Sequence, residues 1–240
     1  MNESGPGLQR FADPEHLADA LSDRLVKGLT AAIAARGKAS LIVSGGKTPL
    51  PLFERLAVTD LGWRHVQIAL ADERWVSTQD PGSNERFVRE HLLHGHAAAA
   101  SFTGLKTDAP TAARGAAGAW RALSGMPRPF DVVLLGMGDD GHTASLFPDS
   151  PGLAKALNPD AAPACVATRS PLPPQERITL NCAALLDSHD IVVSGVGEEK
   201  WQVYETALAD GPVEHMPIRA IFRQTRTPVS FFWAPDIAAS

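Results

Sequence analysis

Apolar residues along this chain form one long helical pattern, followed by short and nearly continuous runs. From residue 17 to residue 33, leucine or isoleucine recurs at every fourth position, which predicts an amphipathic helix from about residue 14 to residue 36. The later runs are almost uninterrupted by polar residues, as is typical of parallel strands covered on both faces. We therefore predict four buried strands, at ASLIV (39–43), VQIAL (66–70), FDVVLL (130–135) and DIVVSGV (190–196).

Helical patterns fill the gaps between these strands. They lie near residues 48–58, 84–94, 110–124 and 198–209. Strands that alternate with helices predict an α/β fold, a Rossmann-like open, mostly parallel sheet with helices on both faces. Two further strand-like runs, ACVAT (164–168) and VSFFWA (229–234), would add a mixed edge to this sheet. Because the sequence contains no internal repeat, we expect residues 1–240 to form a single domain.

Composition and charge narrow the classes of partner. The chain has 22 Lys and Arg against 27 Asp and Glu, a net charge of −5, so it lacks the broad basic field that nucleic acid or an anionic membrane requires. No apolar run approaches the roughly 18 residues that span a bilayer, and the N-terminus has no secretory signal pattern. Cys165 and Cys182 lack C-x-x-C spacing, which favours reduced thiols. We expect a cytoplasmic protein that binds neither nucleic acid nor membrane, whereas a small anionic ligand remains compatible with a local basic cluster.

Ligands of open α/β sheets bind at the carboxyl ends of the strands, so the loops that follow predicted strands are the candidate sites. The first is SGGKTP, residues 44–49. Gly45 and Gly46 allow backbone N–H groups to approach an anion, the following helix start with Thr48 adds a favourable dipole, and Lys47 would add a charge. The loop is not a Walker A motif, because that pattern needs a glycine where Leu41 stands. An ordinary βα turn is an equally good interpretation.

A second candidate follows the strand predicted at 66–70. Asp72, Glu73 and Arg74 arrive where that strand ends. A solvated loop with an ion pair is the commoner fate of such charges, but the position at a strand end favours a function. Arg74 is the most informative of the three, because a guanidinium can hold a carboxylate, a phosphate or a developing oxyanion with two donors.

The third candidate is LLGMGDDGHTASLFP, residues 134–148. Its G-x-G-x-x-G match does not predict a dinucleotide site, because Pro148 arrives too soon for the long helix that such a fold needs. Asp140, His142 and Thr143 instead place an acid, a titratable base and a hydroxyl on one loop. Residues two apart on an extended segment point to opposite faces, so a direct bond between Asp140 and His142 requires a bend at Gly141. A histidine that merely caps a short helix is the competing interpretation.

Two cations and two weaker motifs complete the candidates. Arg177 in ERITLN and Lys200 in GVGEEK stand beside predicted strands and, with Lys47, would surround a dianion unless they face solvent. Three histidines occur in HLLHGH (91–96), but without H-E-x-x-H we predict no metal site there. Ser145 does not lie in G-x-S-x-G, so we predict no serine nucleophile.

The ordered set of motifs resembles the 6-phosphogluconolactonase family from about residue 40 to residue 235. The set comprises SGGKTP, ADERWV with SNER, GMGDDGHTASLFP, ERITL, GVGEEK and PIRAIFRQ…FFWAP. The resemblance implies a fold of the NagB/RpiA/CoA transferase-like group. It also implies hydrolysis of 6-phospho-D-glucono-1,5-lactone in the oxidative pentose phosphate pathway, a small anionic sugar-phosphate substrate, and no metal or other cofactor.

The same resemblance implies roles for individual residues. His142 would be the base that activates water, Asp140 its supporting acid, and Arg74 the group that faces the reacting end. The Gly45–Gly46 loop, Arg177 and Lys200 would bind the phosphate region. We include Thr48 and Lys47 of the same loop in the phosphate-binding set, with Lys47 either contacting the phosphate or pointing to solvent.

Two positions depart from the family pattern. Lys47 stands where the family commonly has serine, and Ser77 stands where it often has proline.

The competing functions are a sugar-phosphate deaminase or isomerase of the same fold group and a non-catalytic sugar-phosphate sensor. Either a monomer or a small homo-oligomer is compatible with the sequence.

Overall fold

Ten strands and eight α-helices follow one another along residues 5–46 and 48–236, the part of the chain that the computed structural model describes. The strands are β1 (Gly7–Arg10), β2 (Ala39–Val43), β3 (Val66–Leu70), β4 (Asp72–Arg74), β5 (Ser101–Thr103), β6 (Val132–Gly136), β7 (Cys165–Arg169), β8 (Glu176–Leu180), β9 (Ile191–Val196) and β10 (Val229–Ala234). The helices are α1 (Pro14–Arg36), α2 (Leu50–Val58), α3 (Asn84–His91), α4 (Ala112–Leu123), α5 (Leu153–Leu157), α6 (Cys182–Leu186), α7 (Glu198–Leu208) and α8 (Ile218–Phe222).

Seven strands form one parallel sheet in the order β1-β10-β9-β6-β2-β3-β5. From β2 the chain moves outward to β3 and β5 on one side, whereas β6, β9 and β10 lie on the other side. The loops that follow the neighbouring strands β2 and β6 therefore diverge and open a crevice at their carboxyl ends. Every residue of β2 is buried, as expected for a strand covered on both faces. The predicted mostly parallel α/β fold is confirmed.

Local signals set the bounds of the elements that the sequence predicted well. Helix α1 has its predicted bounds, because Asp13 caps its first turn by accepting a hydrogen bond from the backbone N–H of His16, and Gly37 ends it with a left-handed φ of 72°. Strands β2 and β3 also form where they were predicted. Strands β6 and β9 begin later than predicted. The aspartate that precedes each of them, Asp131 and Asp190, binds an arginine of α1.

The expected mixed edge is wrong, because the antiparallel pairing forms a second sheet. Strand β7 lies with β8 and β4 in a three-stranded antiparallel sheet of order β4-β8-β7. Strand β10 lies inside the large sheet, parallel to both β1 and β9. Since β4 begins two residues after β3 ends, the small sheet stands at the carboxyl edge of the large one. It therefore adds a wall to the crevice.

The thiols and the helices bear on the expected cellular environment. Cys165 and Cys182 are free and buried, and burial raises the pKa of the Cys165 thiol to about 12 and that of Cys182 to about 11. Thiols with such pKa values are poor nucleophiles at neutral pH. Within residues 5–46 and 48–236, no helix has the length and apolar character needed to cross a membrane. The cytoplasmic location stays a prediction.

Candidate active site

A cleft of about 240 Å³ lies at the carboxyl ends of β2 and β6. Its lining comes from the loop after β2, the loop after β6 and the first turn of α7, with further residues from β4, β6, β9 and α3. From the first loop it includes Gly45, Gly46 and Thr48, and from α7 it includes Lys200. Lys47 lies outside the described residues. The sequence thus predicted correctly which loops would meet, because the carboxyl ends of parallel strands share one edge.

The loop after β6 turns back on itself at Gly141. Gly141 has a φ of 77°, in the left-handed region that favours glycine. Its N–H donates to the carbonyl of Gly138 (3.0 Å), and the N–H of Gly138 donates to the carbonyl of His142 (2.8 Å). This turn supplies the bend that the sequence required, and Asp140 Oδ1 lies 2.6 Å from His142 Nδ1 and 3.0 Å from the His142 backbone N–H. Asp140 therefore bonds His142 directly.

The partner of Nδ1 decides which ring nitrogen of His142 is free. An ionised carboxylate only accepts hydrogen bonds, so Nδ1 donates to Asp140, and in the neutral imidazole the lone pair lies on Nε2. Burial would raise the pKa of Asp140, but the hydrogen bonds from the His142 ring and backbone N–H outweigh it and lower that pKa below its usual value. The His142 ring also packs on Phe147, with 4.5 Å between ring centroids. The arrangement fixes the ring and leaves Nε2 as the ring nitrogen that faces away from Asp140.

Gly138 provides the space that this pair occupies. A Cβ atom at position 138 would overlap the His142 ring and lie 2.7 Å from Asp140 Oδ1. Glycine is therefore the residue type that permits the contact. Two of the three glycines in residues 136–141 are thus explained, Gly141 by a left-handed bend and Gly138 by a close approach of side chains.

Arg74 and Arg177 lie opposite each other on neighbouring strands of the small sheet. They are register partners of β4 and β8, and Arg74 Nη1 donates to the carbonyl of Gly82 at 2.5 Å. Arg177 is 6% exposed, and its Nε and Nη1 have no hydrogen-bond partner among the described residues. Burial, aided by the charge of Arg74, lowers the pKa of Arg177 to about 10. Arg177 is therefore still charged at neutral pH, and two of its donors are free to bind an anionic ligand.

A second cavity of about 460 Å³ adjoins the first on the side of the small sheet. Arg177 lines this second cavity, together with residues 170–173. Arg74 and His142 line both cavities, whereas Lys200 and the glycine loop line only the first. The structure thus brings the predicted residues to one region but divides the cations between two compartments, with His142 at their junction.

The acids at the start of β4 have different surroundings. Glu73 is fully buried and accepts hydrogen bonds at the start of α3, from the backbone N–H groups of Asn84 and Glu85 and from the Ser83 hydroxyl. Burial raises the pKa of Glu73 against the effect of these bonds. Glu73 therefore anchors α3 rather than a ligand. Asp72 lines both cavities and accepts a hydrogen bond from the buried hydroxyl of Ser145.

Several residues of the cleft carried no signal in the sequence. The Ser44 hydroxyl is buried at the cleft without a hydrogen-bond partner in the described part of the chain. Asn84 and Ser194 also line the cleft. Ser44 and Asn84 lie inside the SGGKTP and SNER motifs, which located them without indicating a role. Ser194 is part of the strand predicted at 190–196, where nothing distinguished it from a core position.

The remaining candidates have structural explanations. Helix α3 ends at His91, so His91 and His94 do not share a helix. Within the described ranges, no group of three or more His, Cys, Asp or Glu is arranged to hold a metal ion. The Thr143 hydroxyl donates to the carbonyl of Gly136 at 2.9 Å and so closes the loop. Ser77, which replaces proline, accepts a hydrogen bond from the Gln79 N–H and stabilises a turn.

Lys200 contacts a neighbour of the Asp140–His142 pair. Its ammonium group forms an ion pair with the exposed carboxylate of Asp139. The side chain of Lys200 is 22% exposed and that of Asp139 is 70% exposed, so an anionic ligand in the cleft could compete for this ammonium.

Known proteins are similar to this chain over most of its length. The family described as glucosamine-6-phosphate isomerases/6-phosphogluconolactonase matches residues 12–233. The chain is 40% identical to a 6-phosphogluconolactonase of Pseudomonas putida, over 95% of this chain and 93% of that one. A crystal structure of a 6-phosphogluconolactonase from Shewanella baltica superposes with a TM-score of 0.92 at 49% identity, covering 95% of this chain and 97% of the other.

The fold also extends to another activity. A monomeric glucosamine-6-phosphate deaminase of the NagB superfamily superposes with a TM-score of 0.77 at 16% identity, over 95% of this chain and 97% of the other. This likeness concerns the fold alone. The family match and the identity to the Pseudomonas protein establish that the chain belongs to the glucosamine-6-phosphate isomerase/6-phosphogluconolactonase family.

Proposed function

We propose that this protein hydrolyses 6-phospho-D-glucono-1,5-lactone to 6-phospho-D-gluconate, a step of the oxidative pentose phosphate pathway. The observation that carries the proposal is the 2.6 Å contact between Asp140 and His142, which leaves Nε2 free at the junction of two cation-lined cavities. A substrate with a phosphate at one end and an ester carbonyl at the other requires cations at both ends. The base must lie between these cations, within reach of the carbonyl. Relatives named 6-phosphogluconolactonase support the same activity.

His142 performs the proton transfers. Its Nε2 accepts a proton from water while the water oxygen bonds to the lactone carbonyl carbon, and Asp140 stabilises the resulting imidazolium. The imidazolium then returns the proton to the ring oxygen as the bond between carbonyl carbon and ring oxygen breaks. The products are a carboxylic acid, which ionises at neutral pH, and the freed hydroxyl. No covalent intermediate is needed.

Arg74 stabilises the charge that develops on the carbonyl oxygen. It lines both cavities beside His142, so a carbonyl within reach of Nε2 is also within the region of the guanidinium. A donor aimed at a developing oxyanion lowers the activation free energy by on the order of 3 kcal/mol.

The phosphate is bound by the glycine loop and the surrounding cations. Gly45, Gly46, Thr48 and Lys200 line the first cavity, where backbone N–H groups and one ammonium suit a dianion. We keep Lys47 in this set on the sequence alone. Arg177 belongs to the substrate-binding set because it lines the second cavity and its guanidinium has two nitrogens without a partner among the described residues.

The test is lactone hydrolysis by the purified protein, measured after subtraction of the spontaneous rate. We expect His142→Ala to lower turnover about 100-fold or more, the usual scale for a lost general base. His94→Ala is the matched control, because His94 is exposed and lines neither cavity. Wild-type turnover in His142→Ala would exclude the mechanism. Release of ammonia from glucosamine 6-phosphate, or tight binding of 6-phosphogluconate without lactone turnover, would replace the proposed function by a deaminase or a sensor.

A further inference from the structure

The segment between α7 and α8 contacts the turn that holds Asp140 and His142. The N–H of Ile218, the first residue of α8, donates to the carbonyl of Gly141 at 2.8 Å. The Met216 side chain packs on Gly141 so closely that a Cβ atom there would overlap Met216 Cγ. Residues 216–218 therefore contact both the carbonyl and the Cα of the residue between the base and its acid.

The turn needs such support because of its composition. Gly138 and Gly141 are both in it, and glycine enters many backbone conformations at little cost. The two backbone hydrogen bonds of the turn lie within residues 138–142 and move with it. Contacts from another element are required to fix the position of the turn relative to the cavities.

A buried arginine fixes the segment in turn. Arg219 is 6% exposed, and its guanidinium donates to the carbonyls of Thr206 (2.9 Å), Asp210 (3.3 Å) and Pro212 (3.1 Å). These carbonyls lie in the last turn of α7 and just beyond it, where helix carbonyls lack intrahelical partners and favour cations. Burial of a guanidinium carries a desolvation cost, and Arg219 Nε has no partner among the described residues. This desolvation cost arises next to residues 216–218, the segment that contacts Gly141.

We propose that Met216 and Arg219 are positioning residues for His142. Arg219 holds residues 206–212, and its backbone N–H donates to the carbonyl of Met216 at 2.9 Å. Met216 and Ile218 then hold Gly141, which sets the position of the Asp140–His142 pair. Neither Met216 nor Arg219 lines either cavity, so their effect on catalysis runs through the turn. This inference rests on His142 being the base of the proposed function.

The primary test compares variants at position 216 with one at position 213. Met216→Ala removes the packing on Gly141, and we expect kcat to fall about 10-fold with KM within about 2-fold, since small misplacements of a catalytic group are costly. Met216→Leu keeps the bulk and should restore most of kcat. Val213→Ala is the matched control, because Val213 is half-buried in the same segment and is not among the atoms that approach Gly141.

A second readout does not depend on turnover. The proton on His142 Nδ1, shared with Asp140, should give a downfield NMR signal, and we expect it to exchange faster with solvent in Met216→Ala but not in Val213→Ala. Arg219→Met should produce the same change if it folds, and Met216→Ala carries the test if it does not. Unchanged kcat and unchanged proton exchange in Met216→Ala would overturn the inference, as would an equal loss in Val213→Ala. An inactive wild-type protein would instead overturn the proposed function.

Discussion

Two pairs of arginines, one at each edge of the parallel sheet, differ in their partners. At the amino edge, Arg24 binds Asp190 and Arg36 binds Asp131. At the carboxyl edge, Arg74 lies opposite Arg177, and neither forms an ion pair within residues 5–46 and 48–236. An arginine with a carboxylate partner stabilises the fold, whereas an arginine placed beside another is available to an anion from outside.

Cavity volume does not distinguish the two edges. The cavity at the amino edge measures about 480 Å³, and the two adjoining cavities at the carboxyl edge measure about 240 and 460 Å³. Arg24 and Arg36 at the amino edge are neutralised by Asp190 and Asp131, which line the same space. The ion pairing of these arginines therefore separates the two edges better than volume does.

The largest expected effect comes from exchanging arginine for methionine at each edge. Arg74→Met should lower kcat about 100-fold to 1,000-fold, because an oxyanion donor is lost, with little change in the free energy of unfolding. Arg24→Met should leave kcat within about 2-fold and cost about 0.5 kcal/mol of stability, as a partly exposed ion pair is lost. Lactone turnover and urea unfolding of both variants test whether Arg74 mainly supports catalysis and Arg24 mainly supports stability. Equal catalytic losses in the two variants would contradict the comparison.

A smaller effect is expected at Arg177. Its buried guanidinium has free donors and a like charge beside it, so Arg177→Met removes a desolvation cost as well as a ligand contact. We expect KM to rise about 10-fold, which corresponds to about 1.4 kcal/mol of binding, while the free energy of unfolding does not fall. Arg36→Met is the control and should lower stability without changing KM. A stability loss at Arg177 as large as that at Arg36 would assign Arg177 a structural role.

The smallest effect concerns the acid dependence of stability. Hydrogen bonds from His142 lower the pKa of Asp140 in the folded protein below its reference value of 3.8. The ionised Asp140 therefore contributes stability that is present above the unfolded-chain pKa and is lost as the pH falls through the lower folded pKa. We expect Asp140→Asn to reduce the loss of stability at acid pH, by a small amount because the group is half-exposed. Urea midpoints of Asp140→Asn and of the exposed control Asp108→Asn, compared below about pH 4, measure this difference, and equal slopes would contradict it.

Local patterns predicted the fold best where local interactions decide it. The bounds of α1 follow from its leucine repeat, from Asp13 and from Gly37, all of which lie within one segment. The small sheet escaped prediction because β4 is three charged residues long and pairs with β8 about a hundred residues away. No periodicity within Asp72–Arg74 indicates a strand.

The candidate site was predictable to the level of loops. The motifs identified the segments, and the parallel sheet explains why they meet. The direct contact of Asp140 with His142 depends on the backbone at Gly141, and the division of the cations into two cavities depends on the pairing of β4 with β8. Both are outcomes of the assembled structure. The oligomeric state stays a prediction.

The pairing of β1 with β10 also has a consequence for biosynthesis. Gly7 lies beside Ser230 in the finished sheet, so about 220 residues are synthesised between these two partners. At the usual rates of synthesis, this interval is on the order of ten to forty seconds. His142 likewise emerges long before Ile218, whose N–H binds the turn beside it. The nascent chain therefore passes through a period in which His142 has been made but the segment that contacts its turn has not.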